Sequence, residues 1–419
     1  MRVVIFGAGS QGDIQPCVRF GKGLRNDGYD VLVAAPQNFA KLSAEYGLAF
    51  YPLRGDTQKI MAGETGQDFM ERSGANPIRA IVAMRNMLRP IATQMAEDAL
   101  TASREAEAFI TLAVFAPFGK TIAEILGIPL MLIEPTPTLP TGDFAGAGFP
   151  IQKNLGRLFN RLSGLVMLEA LWQWYRPFVN EFRKRHGLKP LHGADFHRAL
   201  TSAPLLGAYS PTVIPHPRDW GDHAHIVGYW FQKDANEWHP PIELKKFLDQ
   251  GETPVYIGFG SMAGRDPERF TKIVLDALAK TSQRGVIATG WGGMSAMNVP
   301  KNIFALDSAP HGWLFPRMAA VVHHGGAGTT AEGLRAGMPS VIVPFTVDQP
   351  FWGNRVRSLG AGPEPIRASQ LTADALANAI HIAVIDKSMR ERACSIGQAI
   401  RAEDGIGNAV KIVGQYLGA

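Results

Sequence analysis

The 419-residue chain has only two cysteines, Cys17 and Cys394. Two are too few for a disulfide framework, and neither sits in a C-x-x-C or Cys/His spacing of the zinc-binding kind, so both are expected to be packing residues. No run of about 18 apolar residues free of charge occurs. The most apolar stretch, residues 162–174, is interrupted by Glu169, which argues against a membrane-spanning helix. The N-terminus passes from Met1-Arg2 into a short apolar run ending at Gly7, without the h-region of a secretory signal, and a cytoplasmic protein is expected. Charge of one sign is also scarce: the net charge is +5 and the pI about 9.1, mild for this length. With no basic tail and no aromatic-studded basic stripe, nucleic acid is not an expected partner. No D-x-D triplet and no carboxylate cluster of the divalent-cation kind appears, so neither a metal nor a cofactor is expected.

What remains is an ordinary globular composition, 46% hydrophobic and 19% charged, with length for about two or three domains. Residues 2–7 read as a strand apolar on both faces, residues 16–25 as a helix closed by Gly28, and residues 29–35 as a second strand. Strand, helix and strand within so short a span open a parallel, helix-covered sheet, and the fold class is α/β. The rhythm repeats with strands at 109–115 and 129–134 around a helix at 119–126. Residues 135–150, rich in proline and glycine, read as a long loop, functional or mobile. A second series starts at residues 254–261 and continues with strands at 285–289, 303–306, 319–323 and 340–343. Before it, Trp238-His239-Pro240-Pro241 reads as a rigid spacer leading to a short helix at 242–248. The expected architecture is two Rossmann-like domains, residues 1–235 and 236–419, facing each other across a cleft, with the last helix expected to pack back on the first domain.

The opening Gly7-Ala8-Gly9-Ser10-Gln11-Gly12 is a literal G-x-G-x-x-G. A dinucleotide site also needs an acidic residue at the end of the second strand to bind ribose. Here that strand ends in Ala34-Ala35-Pro36-Gln37, and Asp30 lies at its other end, which disfavours an NAD oxidoreductase. Pro16, favoured at a first helical position, places the helix start about four residues after Gly12 and leaves Asp13 in the loop. Asp13 then has two readings, a turn or capping residue and a residue in the ligand crevice.

Chemistry concentrates in residues 308–349. A buried strand ends at His323, followed by His324-Gly325-Gly326-Ala327-Gly328-Thr329-Thr330 and a helix expected from about Thr329. Such a turn is either a tight strand-to-helix connection or a diphosphate cradle, because glycine lets an anion approach the backbone N–H groups of a helix start. His324 is placed to donate to phosphate and Glu332 to accept from ribose. Asp348 and Gln349 follow the next strand, where a sugar is held by an acceptor and a donor together.

These residues resemble the donor signature of family 1 glycosyltransferases of the GT-B fold, most closely the bacterial and sterol-glucosyltransferase branch. The resemblance runs through Gly9-Ser10-Gln11-Gly12-Asp13-Ile14-Gln15-Pro16, through Pro254-Val255-Tyr256-Ile257-Gly258-Phe259-Gly260-Ser261, and through the 323–332 turn to Pro344-Phe345 and Asp348-Gln349. It implies that Ser261, His324 and the backbone of Gly326, Gly328 and Thr329 contact a diphosphate, and that Glu332 binds the ribose. Ser308, Ala309 and His311 would meet the base, Asp348 and Gln349 would hold the donor sugar, and Asp13 would be the general base. Plant members carry Trp where this chain has Ser308, which leaves uridine and thymidine both open. They also use an N-terminal His as base, and this chain has none before His186.

The implied reaction is metal-independent, inverting transfer of a hexose from a UDP- or dTDP-sugar to the hydroxyl of an apolar acceptor: a sterol, a lipid or a polyketide or phenolic product. The nucleotide sugar is a co-substrate. Cleft closure about a hinge at residues 232–242 is expected to bring the reactants into line. Acceptor-binding residues are expected in the first domain, from Ser10, Phe144, Met167 and Trp172, with residues 61–70, 78–95, 135–150 and 155–175 as walls. The basic stretch 176–186 reads as a solvated surface helix or a peripheral membrane contact. Alternatives kept open are a silent nucleotide-sugar-binding protein and a nucleotide-sugar epimerase of the same fold; the oligomeric state stays open.

Overall fold

The computed structural model of the chain describes residues 1–55, 91–231, 238–260, 266–289 and 299–418. They form two compact units, Met1–Trp230 with Asp404–Ala419, and Phe231–Glu403.

The first unit holds a parallel seven-stranded sheet: β1 (Arg2–Phe6), β2 (Asp30–Pro36), β3 (Ala49–Leu53), β4 (Ala108–Leu112), β5 (Leu130–Glu134), β6 (Leu205–Gly207) and β7 (Ala224–Ile226). Its order is β3-β2-β1-β4-β5-β6-β7, with Ile5 paired to Val33 on one side and to Ile110 on the other. Val3, Val4, Ile5, Phe109 and Ile110 are fully buried, because helices cover both faces of a parallel sheet and its strands read as unbroken apolar runs. The strand order reverses between β1 and β4, and open sheets bind ligands at such a switch point, beyond the carboxyl ends. The strand expected over 109–115 ends at Leu112. Residues 113–115 make a 3₁₀ turn straight into the helix Ala116–Leu126, where Pro117 suits a first helical turn and would not suit a central strand.

The second unit is a parallel five-stranded sheet: β8 (Val255–Gly258), β9 (Gly285–Ala288), β10 (Ile303–Leu306), β11 (Val321–His323) and β12 (Ser340–Ile342). Its order, β10-β9-β8-β11-β12, reverses between β8 and β11. Val255, Ile257, Val322 and Val341 anchor its core against Val274, Leu278 and Ile380.

The expected wall over 155–175 and the basic stretch 176–186, read separately, share one helix, Arg157–Arg185. In its last turns Phe178, Val179 and Phe182 face inward, and buried Arg183 donates to the Glu124 carboxylate at 3.0 Å and to the Lys189 carbonyl at 2.6 Å. That pairing holds the Glu124 carboxyl below its ordinary range. The 176–186 stretch is thus a packed helix end whose apolar face is already covered. Cys17 is buried, and burial pushes its thiol up, with the Asp13 charge adding to the shift. Cys394 is exposed, contrary to the expectation that both cysteines pack, because the outer face of the helix Lys387–Ala402 carries it.

Candidate active site

Asp13 follows β1 at the first switch point, but it is not in a loop. The helix begins at Gln11, so Ser10 is the N-cap and Asp13 is the third helical residue. The Asp13 Oδ2 accepts from the Ser10 backbone N–H at 2.7 Å and from the Ser10 Oγ–H at 2.8 Å. The pair satisfies a helix start that Pro16 does not mark, and the expected helix start is corrected by four to five residues. Pro16 lies past the first turn, and having no N–H it leaves the Gly12 carbonyl without its ordinary i+4 donor. Gly9 is required here: its φ of +127° suits glycine, and a Cβ on it would lie 2.4 Å from Asp13 Oδ2. The Asp13 charge also reaches Tyr175, whose hydroxyl is pushed up first by burial and then by that charge.

The proposed acceptor residues divide. Ser10 is exposed and bonded to Asp13, and Met167 is half-buried on the 157–185 helix. Phe144 is half-buried and meets Trp220 edge-on at 6.4 Å. Trp172 is only 3% exposed and tilted against Phe196 at 6.2 Å, which gives it the position of a core residue. Residues 61–70 and 78–90 lie outside the described residues, as does 232–237 of the expected hinge.

The 135–150 segment has no regular secondary structure yet is held at its start and its middle. At its start the Glu134 carboxylate, at the end of β5, accepts from the Thr138 backbone N–H and hydroxyl and from the Leu139 N–H, while Tyr209 donates to its other oxygen at 3.2 Å. Burial raises the Glu134 carboxyl to about 7 against these bonds, which pull it down. Further along, Asp219 accepts from the Thr141 hydroxyl at 2.5 Å and the Gly142 N–H at 2.8 Å, and Asp143 pairs with Arg218 and Arg157. Glu134 and Tyr175 were not singled out from sequence. Their only signals are a carboxylate ending an apolar strand and a Tyr three residues beyond Trp172 on one helix face.

In the second unit, the turn after β11 leads into the helix Ala327–Ala336, two residues earlier than expected. Gly326 is its N-cap and no side chain caps it, so the N–H groups of Ala327, Gly328 and Thr329 face outward as helix-start donors. Gly325 has φ +88°, and a Cβ on Gly326 would sit 2.6 Å from His324 Nε2. Around Gly328 the same construction meets nothing within 4 Å. The turn therefore combines one glycine required by packing with one that leaves room over the helix start.

Burial lowers His324 to about 4, so its ring is neutral. His323 is fully buried and also held neutral, first by burial and then by the nearby His324 and His311. Its Nδ1 accepts from the Gly325 N–H at 3.1 Å, which assigns its proton to Nε2 and a structural role to the ring. His311 stacks on Phe315 at 4.3 Å. Ser308 is exposed and Ala309 half-buried at the end of β10. Glu332 lies in the second helical turn, 3.7 Å from Arg335 Nη1. Ser261 follows β8 but lies outside the described residues.

After β12, Asp348 is the N-cap of the helix Gln349–Ser358, and its Oδ2 accepts from Trp352 Nε1 at 3.0 Å. Gln349, 7% exposed, turns its amide oxygen to the Phe345 and Thr346 N–H groups at 2.8 and 3.2 Å. Val347, just before them, has φ +55°. A β-branched residue there is strained, and such strain concentrates at functional loops.

Residues 3–141 match the glycosyltransferase family 28 N-terminal domain, and residues 272–411 match the erythromycin biosynthesis protein CIII-like C-terminal domain. The chain is 37% identical to a sterol 3-beta-glucosyltransferase of Arabidopsis thaliana over 431 residues, covering 100% of this chain and 66% of that protein. It is 35% identical to the O-mycaminosyltylonolide 6-deoxyallosyltransferase of Streptomyces fradiae, covering 99% of this chain and 97% of the relative. The solved structure of the glycosyltransferase VinC in complex with dTDP superposes with a TM-score of 0.66 at 18% identity, covering 100% of both chains. At that identity the likeness speaks for the fold. The chain belongs to the family 1 glycosyltransferases of the GT-B fold, in the group that includes sterol and macrolide glycosyltransferases.

Proposed function

We propose that this chain is a metal-independent, inverting glycosyltransferase that moves a hexose from a UDP- or dTDP-sugar to the hydroxyl of an apolar acceptor, a sterol, lipid or polyketide-like product. The activities of the relatives, a sterol glucosyltransferase and a macrolide deoxyallosyltransferase, support this acceptor class, and the dTDP complex of VinC supports a nucleoside diphosphate as leaving group.

In this reading the acceptor O–H proton goes to the Asp13 carboxylate as the acceptor oxygen bonds to the anomeric carbon. The bond from that carbon to the diphosphate oxygen breaks on the opposite face, and an α-linked donor gives a β-glycoside. The departing charge meets the Ala327, Gly328 and Thr329 N–H groups, neutral His324 and Ser261. Glu332 holds the ribose, while Ser308, Ala309 and His311 lie at the base. Asp348 takes the sugar hydroxyls together with Gln349, whose amide oxygen is held by the Phe345 and Thr346 N–H groups while its NH2 donates to the sugar. The proposed base belongs to the first unit and the proposed leaving-group site to the second.

The observation that carries the reading is the uncapped helix start at Gly326–Thr329 with open space over Gly328, at the β8/β11 switch point. The test is a panel of UDP- and dTDP-sugars, with and without sterol and macrolide acceptors, read by mass and by the anomeric coupling of the product. A β-glycoside formed only with acceptor present supports the transferase. A new nucleotide sugar formed without acceptor indicates the epimerase, and diphosphate binding without turnover across the panel indicates a silent binder.

A further inference from the structure

Eleven large apolar side chains are exposed among the described residues, and six of them fall between residues 151 and 166: Ile151, Leu155, Leu158, Leu162, Leu165 and Val166. The last four recur at i, i+4, i+7 and i+8 at the start of the 157–185 helix and so share one face. They form a row about 12 Å long at 1.5 Å per residue. Leu158 is 74% exposed. The opposite face of these turns is used: Asn160, Ser163 and Gly164 pack under the 139–152 loop, so closely that a Cβ on Gly146 would lie 2.7 Å from the Gly164 Cα. Beyond Val166 the outward face becomes polar, with Glu169, Gln173 and Arg176 exposed. A single exposed Leu needs no explanation, whereas a continuous row marks an interaction surface.

Charge identifies the occupant. No Asp or Glu occurs from Phe144 to Leu168, a span that holds Lys153, Arg157 and Arg161. Arg157 is committed to Asp143 at 2.6 Å, while Lys153 and Arg161 are exposed beside the row. A two-fold contact of this face with a second copy would bring two cationic surfaces together with no carboxylate from the span to answer them. An anionic lipid surface takes both features at once, cations at the headgroups and leucines in the acyl boundary. No described helix is long and apolar enough to cross a membrane, so the contact is with one leaflet.

We propose that residues 151–166 dock the protein on anionic lipid bilayers. The contact is distinct from the packed 176–186 helix end, and it does not depend on the donor or acceptor of the proposed reaction.

The test is sedimentation of the full chain with vesicles of phosphatidylcholine alone and of phosphatidylcholine with phosphatidylglycerol, in low and high salt. The expected result is binding to the anionic vesicles that weakens with salt. It should fall about tenfold or more in Lys153→Glu/Arg161→Glu and in Leu158→Gln/Leu162→Gln/Val166→Gln, both keeping wild-type melting temperatures. Wild-type protein that stays in the supernatant with anionic vesicles overturns the proposal, as does binding that both variants retain. A dimer seen by light scattering, lost in the leucine variant and accompanied by no vesicle binding, replaces lipid with a second copy. Each readout is independent of sugar transfer, so an inactive enzyme leaves the test intact.

Discussion

Asp13 and Ser10 form a reciprocal cap: the Asp13 carboxylate accepts from both the backbone N–H and the hydroxyl of Ser10, at 2.7 and 2.8 Å. The group proposed as base is therefore oriented by the start of its own helix. Ser10→Ala removes one of those bonds and leaves the carboxylate. It should lower stability by about 1 kcal/mol and slow transfer by less than tenfold, measured by denaturant titration and initial rates.

The two glycines of the donor turn should separate. Gly326→Ala drives a Cβ toward His324 Nε2 and should weaken nucleoside-diphosphate binding and stability together. Gly328→Ala has open space and is a better helix former, so it should hold or raise the melting temperature, by up to about 1 kcal/mol of stability. If Gly328 faces a bound diphosphate, the same variant weakens calorimetric binding of UDP or dTDP. Unchanged affinity would reduce the turn to a simple strand-to-helix connection.

Two buried groups give opposite pH dependences. Glu134, raised to about 7, ionises at higher pH in the native state than in the unfolded chain, where it ionises near 4.5, so its contribution is present below pH 4.5 and is lost as pH rises through 7. His324, lowered to about 4, works the other way: its contribution is present above pH 6.5 and is lost as pH falls toward 4. Between pH 4.5 and 6.5 the two slopes oppose each other. Glu134→Gln should leave a stability that rises more steeply with pH across that window, read from urea midpoints.

Val347, at φ +55°, should be relieved by Val347→Gly. Removing the side-chain strain is expected to offset the added backbone freedom, with a net gain of about 1 kcal/mol or less. KM for the donor should rise, because Asp348 and Gln349 follow directly; steady-state kinetics with a fixed acceptor reads this.

The strands were legible because parallel sheets bury both faces, so Val3 to Ile5 and Val255 to Ile257 read as apolar runs ending in glycine turns. The α/β class and family came through the same turns. Helix starts were less legible. Pro16 misplaced one because a reciprocal Ser10–Asp13 cap can begin a helix well before a proline, and this energy is invisible to a position rule. Trp172 was read as a binding residue because an aromatic on a helix carries no sign of which face it occupies; Phe196, far along the chain, decides that. Glu134 was missed for the converse reason, since its partners Thr138 and Tyr209 assemble only in the fold.

Proton transfer to Asp13 is tested most directly by acceptor-dependent nucleoside-diphosphate release by wild type and Asp13→Asn, with donor affinity measured alongside. If Asp13 takes the acceptor proton, the variant is slower by about 10² to 10⁴ with donor affinity unchanged. A variant that turns over within a few-fold of wild type would contradict it.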